Sequence, residues 1–303
     1  LNKKNASLYL KSAASLFLIA FLLSQTELEN YRSIFTSLDI KYFLLGYLFI
    51  HGSMVLGAMS LLKLTPNSEV SPNNRLTFYS AFYLSNLIGL ALPGRVGDFS
   101  IALMLSKITS KTQATASVIK DKLLTVSVFG GCGTITFLLL DNLTLATTCL
   151  LILICTALLH FTLTYFSQRK SSAPAAQTLL TFLQKKLASL DKTPNTKLTA
   201  AIGIKILRLG FTLAGTLLLL KSMNLDIPTL PTLASIITVH LSALLPISIQ
   251  GIGVNEVLYI YHLENHGLTI AHAITLAFTL RIITLLTLTS LYSYYSVRKK
   301  LAI

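Results

Sequence analysis

Long apolar stretches alternate with short polar ones along the whole chain. The apolar runs fall at about 8–24, 41–62, 77–92, 115–140, 143–166, 199–221, 230–246 and 268–296. They are continuous, without the period-two alternation over ten-residue strands that a membrane barrel requires, so they predict helices. The simplest count is eight spans. The positive-inside rule argues against it. With Lys3, Lys4 and Lys11 cytoplasmic, eight crossings would export the 167–198 loop. That loop carries Arg169, Lys170, Lys185, Lys186, Lys192 and Lys197 against one acid, Asp191.

Two re-entrant pairs remove the conflict. The 77–107 segment enters from the cytoplasm, breaks at "LPGRVGD" (92–98) and returns. The 230–265 segment enters from outside, breaks at "LPISIQGIGVNE" (245–256) and returns. Arms of ten to 16 residues rise only about 15–24 Å as helices, short of a ~30 Å hydrocarbon core. Of the 25 Lys and Arg residues, only Arg32, Lys41 and Lys221 then lie outside. Arg95, Lys205, Arg208 and Arg281 lie at membrane depth, and the rest are cytoplasmic. Both termini are placed in the cytoplasm.

The expected fold is an all-α polytopic membrane protein with six full spans and two re-entrant broken-helix hairpins. It forms a single transmembrane domain over 1–303. Its halves, 1–142 and 143–303, read span, span, hairpin, span from opposite sides, which makes an inverted repeat. The basic cytoplasmic loop at 167–198 is the seam, and its "LLTFLQKKLASL" (179–190) is read as an amphipathic surface helix.

Composition agrees with a membrane protein. The chain is 53% hydrophobic and 12% charged, with mean hydropathy +0.68. The net charge of +14 reflects basic cytoplasmic loops rather than nucleic-acid binding, for which no motif is present. Lys3 and Lys4 before the first run resemble a signal peptide. "LLSQTELE" follows instead of an A-x-A site, so a retained first span is expected. Cys132, Cys149 and Cys155 lack disulfide or zinc spacing and read as buried small hydrophobes.

The candidate chemistry gathers at the two breaks. Non-helical backbone at membrane depth survives only when buried in protein or lining a wet cavity. Pro93, Gly94 and Gly97 break the first segment; Pro246, Gly251 and Gly253 break the second. The helix starts after each break favour anions. Arg95, Lys122, Arg208 and Arg281 are candidate phosphate ligands. Asp98 and Glu256 are candidate counter-ions or proton-coupling groups, with Gln250 and Asn255 as polar neighbours. Each acid precedes a base at similar spacing: Asp98 to Lys122, and Glu256 to Arg281. Lys205 and Arg208 share a helix face. Lys205 is placed one turn inside the membrane, able to snorkel, while Arg208 needs Asp98 or a lipid phosphate. Lys120, Asp121 and Lys122 read equally as snorkelling interface charges or a headgroup vestibule. His262 and His266 would share a helix face without a metal motif, and His240 reads as a core histidine. Tyr292, Tyr294 and Tyr295 suggest an interfacial belt. No cofactor or metal site is expected.

"NLIGLALPGRVGD" (86–98), "ASVIKDKL" (116–123), "LPISIQGIGVNE" (245–256) and "HGLTIAHAITLAFTLR" (266–281) resemble the flippase-like family, also called the lysylphosphatidylglycerol synthase transmembrane-region family. The resemblance extends from about 8 to 297. The family's landmarks fall on Pro93, Gly97 and Asp98 and on Gly251, Gly253 and Glu256. Its acid–Arg pair of the middle span becomes Asp121–Lys122 here, and a lysine lacks the planar fork for bidentate phosphate. The resemblance implies movement of lipid headgroups between leaflets, with no synthase activity implied for this chain. The expected function is an inner-membrane lipid translocase whose partners are membrane lipids. Two alternatives stand beside it: a transferase acting on a polyprenyl-phosphate or phospholipid, and a non-catalytic partner of a lipid-modifying enzyme. Oligomeric state is not fixed by the sequence.

Overall fold

A computed structural model describes residues 20–21, 24–25, 27–66, 74–91, 96–168, 195–243 and 251–301. These are helical, with no strand among them. The helices are α1 (Leu28–Thr36), α2 (Ile40–Leu64), α3 (Arg75–Ala91), α4 (Val96–Leu105), α5 (Lys111–Leu139), α6 (Leu143–Gln168), α7 (Asn195–Ser222), α8 (Thr229–Ser242), α9 (Val254–Leu263) and α10 (Ile270–Leu301).

Among the described residues, five helices are long and apolar enough to cross a membrane: α2, α5, α6, α7 and α10. The first apolar run, 8–24, and the 179–190 helix lie almost wholly outside the described residues. Four further helices, α3, α4, α8 and α9, are short. α3 has 17 residues, α8 has 14, and α4 and α9 have 10 each. At ~1.5 Å per residue none reaches a ~30 Å core thickness.

Local sequence sets the ends. Asp39 caps α2 by accepting the Lys41 N–H at 2.9 Å, and Ser110 caps α5 through the Gln113 N–H at 3.3 Å. Asn142 accepts from Leu145 N–H at 3.1 Å and opens α6. α6 is the most lipid-like helix: only 11% of its apolar window is buried, and Leu151, Leu158 and Phe161 face outward. Cys149 on the same helix is buried against α5, whereas Cys155 is exposed, so only part of the cysteine expectation holds.

The α2–α7 pair is the most extensive packing among the described residues. The helices are antiparallel: Gly46 faces Leu219, Ile50 faces Gly215, Gly57 faces Arg208, and the Ser53 and Thr212 hydroxyls meet at 2.8 Å. Small residues let the backbones approach, because lipid supplies no hydrophobic drive between helices. A Cβ at Gly215 would lie 2.8 Å from Ile50 and 3.2 Å from the Gly46 carbonyl oxygen. Gly215→Val therefore overpacks the seam, at about 1–3 kcal/mol. Gly210 has nothing within 4 Å. Thermal unfolding in detergent is expected to fall for Gly215→Val and to stay near wild type for Gly210→Val.

The short helices pack in pairs, α3 on α4 and α8 on α9. α3 also lies on α10, where Tyr79 stacks on Tyr295 at 4.8 Å and the Ser80 and Ser296 hydroxyls meet at 3.1 Å. Tyr295 is thus held in a helix contact; of the expected belt, Tyr294 remains half exposed at 50%. α8 lies on α5, where His240 stacks on Phe129 at 4.6 Å. His240 Nδ1 also lies 2.9 Å from the Ile236 carbonyl oxygen, so the ring is satisfied as expected, but it is partly buried rather than in the core.

These contacts fix where each pair starts and ends. α3 begins beside the end of α10, and Leu105, closing α4, packs with Leu61 near the end of α2. α8 begins where α5 ends, because Ile237 faces Gly133 while His240 faces the earlier Phe129. α9 ends there too, with His262 against Phe137 at 5.8 Å. α9 stops at Leu263, and Glu264–His266 form a 3-10 turn. His262 and His266 therefore do not share a face of one helix, contrary to the sequence expectation.

Candidate functional site

The second break ends in Gly251 and Gly253, whose φ values are +71° and +83°. Both are costly for residues with a Cβ. A Cβ at Gly251 would also meet the Asn255 side chain at 2.3 Å, so only glycine leaves that amide its place. The chain then turns into α9, and Glu256 enters at the third helical position.

Glu256 is wholly buried. Its Oε2 accepts the Gly253 N–H at 2.8 Å, satisfying a free donor at the start of α9. Its Oε1 accepts from Arg281 Nη1 of α10 at 2.5 Å. Helix start and guanidinium thus stabilise one carboxylate from two sides. The Arg281 guanidinium also lies 5.3 Å from the Phe278 ring centroid. Its Nε and Nη2 are buried and have no hydrogen-bond partner among the described residues. Those two N–H groups form the side-on fork of arginine, the edge that fits a phosphate bidentately. Glu256 therefore orients the guanidinium, and this fork stays buried without a hydrogen-bond partner among the described residues.

A second charged centre joins three helices. Lys205 Nζ of α7 donates to Asp121 Oδ1 of α5 at 2.6 Å and to Thr125 Oγ1 at 2.7 Å. The Ser60 hydroxyl of α2 donates to the same Asp121 oxygen at 3.3 Å. Lys205 is 2% exposed and Asp121 8%. The sequence reading had Lys205 snorkelling and paired Asp121 with Lys122. The structure corrects both. Lys205 is ten residues into α7, about 15 Å along the helix. At that depth the cheapest partner is a buried acid. Lys120 is buried as well, so solvated snorkelling fails for it too. The clue was present in sequence: an acid inside an apolar run needs a cation, and Asp121 and Thr125 share a helix face.

Arg208 lies one turn beyond Lys205 and is partly buried against Gly57. It makes no hydrogen bond or ion pair among the described residues. Gly97 and Asp98 fall in the first turn of α4. Pro93, Gly94, Arg95, Pro246 and Gln250 lie outside the described residues. Asp98 is the third residue of α4 as Glu256 is of α9, and Lys122 is the twelfth of α5 as Arg281 is of α10. No group of three or more His, Cys, Asp or Glu suited to a metal ion occurs among the described residues.

No curated protein and no solved structure matches the chain. One family model, described as Lysylphosphatidylglycerol synthase TM region, matches residues 8–291. That span takes in both breaks, Glu256 with Arg281, and Asp121 with Lys205, and the chain is a multi-pass membrane protein belonging to this family.

Proposed function

We propose that this protein is a translocase for phospholipids or lipid-linked headgroups bearing phosphate, in the cytoplasmic membrane. The observation that carries the reading is the unspent side-on fork of Arg281 beside a fully buried Glu256. An intramembrane arginine with one acid and an unpartnered buried edge suits an anion that displaces the packing around that edge and leaves again. A purely structural pair would be expected to use the bidentate geometry on its own acid.

In this reading α3–α4 and α8–α9 are re-entrant hairpins of an inverted repeat, with both termini cytoplasmic. Support comes from their lengths and from the opposite ends at which the two pairs start and finish. Further support is the paired contact pattern: α3 on α10 mirrors α8 on α5, and α4 on α5 mirrors α9 on α10. Helix register then equates Asp98 and Lys122 with Glu256 and Arg281. Headgroups would pass between the two breaks, exchanging the two cations in turn while the acids hold the resting charge.

The test is reconstitution into vesicles with a tail-labelled anionic phospholipid, following label exposure to a membrane-impermeant quencher. Arg281→Ala is expected to slow translocation roughly tenfold or more, the loss of one charged hydrogen-bonding group. Arg281→Lys recovers little, because an ammonium lacks the fork. Unchanged translocation of every lipid tried would overturn the assignment.

A further inference from the structure

The charged centre at α2, α5 and α7 is unequally shared. Asp121 has two cations within reach on one face of α7, Lys205 and Arg208. Lys205 takes it, at 2.6 Å, and is fixed further by Thr125 at 2.7 Å. Ser60 adds a second donor to the same carboxylate oxygen. Arg208 is left without an ion pair among the described residues. Its guanidinium occupies the gap opposite Gly57, where an added Cβ would lie 3.2 Å from Cζ and Nη1.

An arginine inside a membrane span needs an anion, and phosphate is the anion that lipid supplies. Gly57 lies seven residues before the end of α2, so Arg208 sits about 10 Å from that helix end. Along α7 it is one turn deeper than Lys205, too deep to snorkel, so its anion must come to it within the membrane. Leu288 of α10 packs in the same cluster as Ala58, and Arg281 lies seven residues earlier on α10.

We propose that Arg208 is a second phosphate station, separate from the Glu256–Arg281 pair, and that Lys205 keeps it open by occupying Asp121. Lys205 is then a positioning residue. The proposal deepens the translocase reading and rests on it only for naming lipid phosphate as the anion. Binding at equilibrium requires no transport, so the translocase reading can fail in the vesicle assay while this site stands.

The experiment titrates the full chain in detergent with a labelled short-chain phosphatidylglycerol, using the matching diacylglycerol as the phosphate-free control. Arg208→Gln is expected to weaken phosphatidylglycerol binding at least roughly tenfold and leave diacylglycerol unchanged. Gly57→Val, which crowds the guanidinium without removing it, is expected to do the same and decides the matter should Arg208→Gln fail to fold. Lys205→Met should also weaken binding, because Arg208 then falls onto Asp121. Asp121→Asn added to Lys205→Met should restore it, which loss of a merely structural pair would not predict for lipid affinity. Wild-type binding by folded Arg208→Gln, or by folded Gly57→Val, overturns the station. No recovery in the double variant overturns the role of Lys205. Displacement of phosphatidylglycerol by equimolar inorganic phosphate overturns the lipid assignment in favour of a soluble anion.

Discussion

Glu256→Ala is expected to destabilise the protein more than any other single change at the site. The carboxylate is wholly buried and serves two donors, Arg281 Nη1 and the Gly253 N–H. Its removal leaves a guanidinium without its acid, and breaking a buried pair from one side costs about 3–5 kcal/mol. The uncapped start of α9 adds about 1 kcal/mol. In thermal unfolding of the detergent-solubilised chain, the transition should drop by roughly 10 °C, scaling from ~2–4 °C per kcal/mol in domains of 150–250 residues. A companion variant separates charge from packing. Glu256→Ala combined with Arg281→Met removes the orphan charge and should regain more than half of the loss, since replacing both partners of a buried pair is far cheaper than removing one. An unfolding temperature unchanged in Glu256→Ala would show that Arg281 finds another counter-ion and would dissolve the pair as a structural unit.

The same prediction shows what the sequence made legible and what it did not. Spacing related Glu256 to Arg281, because an acid after a glycine break and a base on the next apolar run repeat the pattern of Asp98 and Lys122. Apolar run lengths foretold α2, α5, α6, α7 and α10, because a helix that crosses lipid must be continuous. Asp121–Lys205 stayed hidden. Its members are 84 residues apart, and it takes the packing of α5 against both α2 and α7 to bring Lys205 beside Ser60 and Asp121. Sequence neighbours drew the eye to Lys122 instead, yet residues adjacent on a helix point about 100° apart. The 3-10 turn after Leu263 was equally illegible, since a four-residue spacing of histidines reads as helix until the chain shows where α9 stops. Helix pairing in lipid depends on small residues and complementary shapes, which leave little periodic signal in one chain.

Gly253→Ala is expected to have the largest effect on transport for the smallest change in volume. Its φ of 83° and ψ of −46° lie outside the regions open to residues with a Cβ. Holding alanine there costs on the order of 1–3 kcal/mol. The chain can escape that strain by rotating the 252–253 peptide, but this carries the Gly253 N–H away from Glu256 Oε2. The carboxylate then loses one of its two anchors and can turn fully onto Arg281, occupying the fork that the translocase reading needs unpartnered. Gly267 supplies the control. Its φ is 93°, with nothing within 4 Å of an added Cβ, and it lies in the turn before α10, away from the pair. Both variants should unfold a few degrees below wild type. Only Gly253→Ala should also lose translocation, roughly tenfold as for Arg281→Ala. Equal translocation by the two variants would mean that backbone strain acts through stability alone, and that the Gly253–Glu256 contact does not govern how Arg281 presents its free edge.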